Sequence, residues 1–81
     1  MMTQAEILTK VQAVIAEQLD VAIEKVTPTT NIREELDADS LDIFEVMNQL
    51  EDDLEVKLDP DESIVTVQNV VDYIEKTLAT K

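Results

Sequence analysis

The 81-residue chain has no cysteine, no histidine and no glycine, and only two prolines. Without cysteine, the polypeptide itself forms no disulfide, no thiolate metal site and no thiol intermediate. Without histidine, it lacks the side chain that titrates near neutrality unperturbed, which is also the commonest general base and metal ligand. A self-contained enzyme is therefore not expected. Basic residues are scarce as well: six Lys and Arg stand against 19 Asp and Glu, a formal net charge of -13. Nucleic acids and anionic membranes are bound through Lys and Arg, so this chain repels both, and basic protein surfaces or cations are its expected partners. No apolar run approaches the roughly 20 residues of a membrane span. The opening Met1-Met2-Thr3-Gln4-Ala5-Glu6 has neither a positive n-region nor an apolar h-region, and the cytosol is the expected compartment.

What the chain does have is a hydrophobic content of 44%, enough for a modest core in one domain spanning residues 1–81. A chain of this size buries only roughly 60–65% of the surface it exposes when unfolded. With no glycine and few breakers, hydrophobic period carries the structural signal, and the period is helical. Thr3 and Glu6 have capping-box spacing, and Ile7, Leu8, Val11, Val14, Ile15 and Leu19 follow on one face, predicting a helix over residues 4–19. From Asp20 to Asp39 the period fails, and Thr27-Pro28-Thr29-Thr30-Asn31 supplies turn residues. A structureless connection of this length is unusual. We expect an ordered loop pinned by burial of Val21, Ile23, Val26, Ile32 and Leu36, with a helical turn near Ile32 to Leu36.

Asp39 stands at the N-cap position of a second helix over residues 40–55, with Ile43, Val46, Met47, Leu50 and Leu54 in one arc. Asp59-Pro60 reads as the cap and first residue of a short turn through Ile64. Thr66 caps a last helix carrying Val67, Val70, Val71, Ile74 and Leu78, with Lys76 and Lys81 at its negative end. The expected fold class is all-α: a small bundle of three main helices plus one short helix, with a long loop between the first and second.

The acids are concentrated. Residues 34–62 hold 13 of the 19, with Lys57 as the one base among them. An acidic cluster ordinarily just keeps a small protein soluble, but a wheel at about 100° per residue gives this one an apolar centre. Leu41 projects almost opposite the core arc, between Asn48 and Glu45, and Phe44 lies on its flank. Single exposed apolar residues are ordinary. Two within one turn of each other, ringed by carboxylates, form an apolar anchor with a rim that steers a basic partner. Ser40 heads the same helix beside Leu41. A Ser there ordinarily caps the helix, and with no histidine it is no triad nucleophile. Its remaining chemical use is as a point of attachment.

Asp37-Ala38-Asp39-Ser40-Leu41-Asp42, then a helix ending in an acidic run, then Thr66-Val67-Gln68, resembles the acyl carrier proteins of bacterial (type II) fatty acid synthesis over nearly the whole chain. The resemblance implies that Ser40 carries a 4'-phosphopantetheine arm, attached as a phosphodiester from coenzyme A by a phosphopantetheinyl transferase. It implies that growing acyl chains ride the arm as thioesters, that Asp39 flanks the attachment site, and that Leu41, Phe44, Glu45 and Asn48 meet basic patches on the transferase and the synthesis enzymes. A monomer is expected, with the bundle interior shielding the chain from water. The sequence departs from the family in having Asp37 where many members have Gly, and in a shorter stretch from Asp59 to Val65. A carrier for polyketide, peptide or D-alanine pathways would share Ser40. Among non-carriers, an acidic cation-binding or decoy protein is the alternative. An EF-hand loop counted from Asp37 fits poorly, since it puts Leu41 at position 5, Asp42 where Gly is needed and Asn48 in place of the last Glu. No specific metal ligands are therefore expected.

Overall fold

Thr3 and Glu6 open the first helix as their spacing predicts. In a computed structural model, which describes residues 3–58 and 64–79, the Thr3 hydroxyl accepts from the Glu6 N–H at 3.2 Å. The Glu6 carboxylate accepts in return from the Thr3 N–H at 2.9 Å. This return bond, together with the Thr3 side chain, holds the Glu6 carboxyl below its ordinary pKa. A depressed carboxyl contributes stability at neutral pH, and the contribution is lost as pH falls through the lowered pKa. The helix, α1, runs Gln4–Leu19 and buries Ile7, Val11, Val14 and Ile15, with Leu8 and Leu19 packed partly against the core.

The connection that follows is ordered, and its backbone bonds show why. A 3-10 turn over Ile23–Lys25 leads into Val26, which is fully buried and whose carbonyl accepts from the Gln12 side chain of α1 at 2.6 Å. Ile23, expected among the residues that pin the loop, is instead 45% exposed; it opens the turn, and the core position falls to Val26. Thr30 is buried to 4% exposure. Its hydroxyl donates to the Lys25 carbonyl at 3.0 Å, accepts from the Thr27 N–H at 2.9 Å and lies 2.8 Å from the Thr27 hydroxyl. That full set of partners is what a buried hydroxyl requires. Beyond it, an antiparallel bridge pairs Asn31 with Thr66. The Ile32 N–H donates to the Val65 carbonyl at 2.9 Å and the Val67 N–H to the Thr30 carbonyl at 3.1 Å. The expected helical turn is present as α2, Ile32–Glu35, capped by the Asn31 side chain on the Glu34 N–H.

Helix α3 runs Ser40–Leu54 and buries Ile43, Val46, Met47 and Leu50, with Glu55 as its C-cap. Helix α4 runs Val67–Ala79 and buries Val67, Val70, Val71 and Ile74. Thr66 caps it by accepting from the Asn69 N–H at 3.2 Å, while the Asn69 side-chain carbonyl takes the Val65 and Thr66 N–H groups at 3.0 and 2.9 Å. Asn69 thus does the work of the Glu or Gln of an ordinary capping box. Helix α1 packs against both α3 and α4, so the core forms along it. The architecture is all-α with three main helices, and the short helices among the described residues, Ile23–Lys25 and α2, both lie in the connection between α1 and α3. The short turn expected from Asp59 to Ile64 falls largely on residues 59–63, outside those described.

A chain without glycine still has to turn at its helix ends. Asp20, Asp37 and Glu55 take left-handed backbone, with φ of 55°, 57° and 54°. Left-handed φ costs an L-residue roughly 1–2 kcal/mol, less for Asp and nothing for Gly. At Asp20, whose N–H closes α1 onto the Ala16 carbonyl, urea unfolding should rank the variants in backbone order. Asp20→Gly should be the most stable, the natural residue intermediate, and the β-branched Asp20→Val less stable by about 1–2 kcal/mol. An Asp20→Val protein as stable as Asp20→Gly would contradict the assigned turn.

Candidate functional site

The start of α3 is set by a reciprocal pair of bonds. The Asp39 carboxylate accepts from the Asp42 N–H at 3.0 Å, and the Asp42 carboxylate accepts from the Asp39 N–H at 3.3 Å. Asp39, in extended backbone at φ -96° and ψ -174°, is the cap, as its position predicts. Asp42 as its return partner was not foreseen, although Asp-x-x-Asp at cap and N3 spacing carries the signal. The left-handed turn at Asp37 and a bond from the Ala38 N–H to the Ile32 carbonyl at 3.3 Å fix the approach to this start. Asp therefore fills the position where glycine is frequent in the resembled family, with φ of 57°.

Capping by Asp39 decides what Ser40 can do. Ser40 is the first residue of α3 and exposed, and its hydroxyl has no hydrogen-bond partner among the described residues. The ordinary reason for a Ser at a helix start is thus removed, because the neighbouring carboxylate already does the capping. The box takes the N–H groups of Asp39 and Asp42. Those of Ser40 and Leu41 have no acceptor within the helix, as in any first turn, and they lie at the positive end of the helix dipole.

The phase that the cap imposes also sorts the side chains of α3. Ile43, Val46, Met47 and Leu50 go inward, and Leu54 is partly buried. Leu41 is 64% exposed and Phe44 55%, and Glu45 and Asn48 are exposed beside them. Residues 41, 44, 45 and 48 fall at i, i+3, i+4 and i+7, which is one stripe of a helix, and Asp39 and Ser40 stand at its head. All six residues singled out in the sequence are therefore brought to one end and one face of α3. Opposite them, Lys10 of α1 pairs with Asp53 at 3.8 Å. This surface contact contributes little and leaves the acidic excess of α3 in place. Among the described residues, no group of three or more Asp or Glu side chains is arranged to hold a metal ion. No helix there is long and apolar enough to cross a membrane.

Periodicity gave no sign of a recess behind this face. It is lined by Ile15 and Leu19 of α1, Ile32 of α2, Ala38 before α3, Ile43, Val46 and Met47 of α3, and Val70 of α4, with Asp42 as its one charged residue. With the space open to solvent included, it measures about 220 Å³. Its lining includes Ala38 and Asp42, two residues to either side of Ser40, and not Ser40 itself. The recess therefore reaches the head of α3 from the inside, while the Ser40 hydroxyl stands outside.

Residues 9–74 match the family of phosphopantetheine attachment sites. The chain is 44% identical over 80 residues to an acyl carrier protein of Thermosynechococcus vestitus, covering 96% of this chain and 99% of that one. It is 44% identical over 66 residues to an acyl carrier protein of Lactococcus lactis, covering 82% and 89%. To one of Rubrobacter xylanophilus it is 41% identical over 75 residues, covering 90% and 93%.

The division of labour between Asp39 and Ser40 has a measurable consequence. Asp39→Ala should cost about 1 kcal/mol of stability, the usual loss for a side-chain cap. Ser40→Ala should leave the unfolding midpoint within a degree or two, because the Ser40 hydroxyl holds nothing in place. A larger loss for Ser40→Ala than for Asp39→Ala would assign the cap to Ser40.

Proposed function

This chain belongs to the acyl carrier protein family, and from that premise we propose that it serves fatty acid synthesis, as a cytoplasmic monomer of one domain, with Ser40 as its attachment residue. It is a carrier and not an enzyme, its prosthetic group is phosphopantetheine, and it works through the enzymes that modify and use it. The observation that carries the assignment of Ser40 is its exposed hydroxyl at the head of α3, without a hydrogen-bond partner among the described residues because Asp39 does the capping.

The residues fit the group. A phosphodiester on Ser40 would lie among Asp37, Asp39 and Asp42, which repel it, and beside the open Ser40 and Leu41 N–H groups and the positive helix end, which offset that repulsion. In the attachment step the Ser40 oxygen forms a bond to phosphorus as the pyrophosphate bond of coenzyme A breaks, the adenosine bisphosphate half leaves and the hydroxyl proton is lost. The chain has no histidine, and the carboxylates of Asp39 and Asp42 are engaged with each other's backbone, so neither of these two is free to take this proton. When bound, the arm supplies the terminal thiol that the cysteine-free polypeptide lacks. The chain's own residues supply position. Leu41 and Phe44 offer an apolar anchor, and Glu45, Asn48 and Asp39 form the rim that draws in basic patches on the transferase and the synthesis enzymes. The recess lined by Ile43, Val46, Met47 and Val70 shields the carried chain.

Intact mass after incubation with coenzyme A and a broad-specificity transferase tests the attachment: the natural chain should gain the arm and Ser40→Ala should not. A gain retained in Ser40→Ala would move the site elsewhere. Docking is tested by Glu45→Lys against a condensing enzyme of fatty acid synthesis. The association rate should fall about tenfold or more at low salt, and its salt dependence should flatten, because steering acts mainly on encounter. A rate indifferent both to the reversal and to ionic strength would reduce the acidic face to a solubility device.

A further inference from the structure

Among the described residues, three backbone hydrogen bonds tie the connection before α3 to the start of α4, and they are not supported alike. The Val67 N–H donates to the Thr30 carbonyl at 3.1 Å and the Gln68 N–H to the Pro28 carbonyl at 2.9 Å. Both donors belong to the first turn of α4, which keeps its own shape. The third bond, from the Ile32 N–H to the Val65 carbonyl at 2.9 Å, lands on a residue outside that helix. What fixes Val65 is a half-buried side chain: the Asn69 oxygen accepts the Val65 and Thr66 N–H groups at 3.0 and 2.9 Å. This third bond is also the one that leads to Ser40. The Ile32 carbonyl accepts from the Ala38 N–H at 3.3 Å, and Ala38 precedes Asp39, the cap of α3. A line of bonds therefore runs from Asn69 through Val65 and Ile32 to Ala38, two residues from Ser40, and bonds joined in this way strengthen one another.

We propose that Asn69 is a positioning residue for the attachment reaction at Ser40, acting from α4 through Val65, Ile32 and Ala38. This rests on the carrier reading above and adds to it a residue remote from the reacting atoms. Without the Asn69 oxygen, the Val65 and Thr66 N–H groups lose their acceptor, and the Val65 carbonyl loses the support that keeps it aimed at Ile32. Ala38 is then held less firmly, and Ser40 spends less time where the transferase needs its oxygen. A displacement of about 1 Å can cost such a step up to about 100-fold. Docking is a separate matter, because Leu41, Phe44, Glu45 and Asn48 take their places from the phase of α3, which the Asp39 cap sets. An Asp at position 69 keeps an acceptor at the same reach and suits the positive start of α4, whereas Ala keeps none.

The test compares the natural chain with N69A, N69D and L78A, all well below their unfolding midpoints. Leu78 is partly buried near the other end of α4, so L78A loosens packing without touching the line of bonds. Two readouts are taken: single-turnover arm transfer from coenzyme A against carrier concentration, and amide hydrogen exchange at Ile32 and Ala38. In N69A the saturated transfer rate should fall about three- to tenfold, with the half-saturating concentration within about twofold of the natural value. Exchange at both amides should speed up about tenfold. N69D should restore both readouts, and L78A should leave both as in the natural chain. If N69A does not fold, N69S carries the comparison, since its shorter side chain does not reach both N–H groups. A folded N69A or N69S that transfers at the natural rate would overturn the proposal. So would an effect confined to half-saturation, an N69D as slow as N69A, or an L78A that loses as much. Failure of the carrier reading would show separately, as a natural chain that takes up no arm, and the proposal would fall with it.

Discussion

The reciprocal bond between Asp39 and Asp42 is the contact on which the working end of this protein depends. It closes the Asp39 and Asp42 N–H groups at the head of α3 with side chains on either side of Ser40, and so relieves Ser40 of the structural task a serine usually performs there. It also fixes the rotational phase of the helix. Because residue 39 is the cap, residues 43, 46, 47 and 50 face α1, and residues 41, 44, 45 and 48 face away from it. One pair of bonds thus aligns an exposed hydroxyl, an apolar anchor and an acidic rim on a single edge. The acids themselves come at an electrostatic cost, since Glu51, Asp52 and Asp53 lie at the negative end of the same helix with no basic residue in its last turn.

Everything around this helix serves to hold it still. With no glycine available, acidic side chains occupy the left-handed positions after α1, after α2 and after α3. The loop before α3 is tied to α4 by the bridge at Asn31 and Thr66, to itself by the buried Thr30 hydroxyl, and to α1 through Gln12 and the Val26 carbonyl. These bonds use polar groups that would be expensive to bury unpaired. They convert a stretch of 20 residues without long helices into a fixed approach to Ser40.

Much of this was legible in the sequence, because helical period and caps are local. The bounds of α1 follow from Thr3, Glu6 and the stripe from Ile7 to Leu19, and the outward positions of Leu41 and Phe44 follow from the same geometry applied to α3. Ile23 shows the limit. Hydrophobicity marked it for the core, but in a loop no period ties a residue to a face, and the backbone turn gave the place to Val26. The bridge from Asn31 to Thr66 joins residues 35 apart in sequence, and the recess needs four segments to meet. Neither leaves a local pattern. The capping role of Asp42 was available from its spacing to Asp39. The identity of the attached group came from likeness to known carriers rather than from any pattern of charge or period.

The central claim is that capping and attachment at the head of α3 are separate tasks of adjacent residues. Amide hydrogen exchange at Asp42 and Ile43, measured before and after the arm is attached, tests it most directly. If Asp39 holds this turn, the protection of both amides should be the same in the two forms within about a factor of two, because the modified residue carries none of their bonds. A fall in protection of an order of magnitude or more on attachment would mean that the Ser40 hydroxyl had been holding the helix start, and would contradict the account.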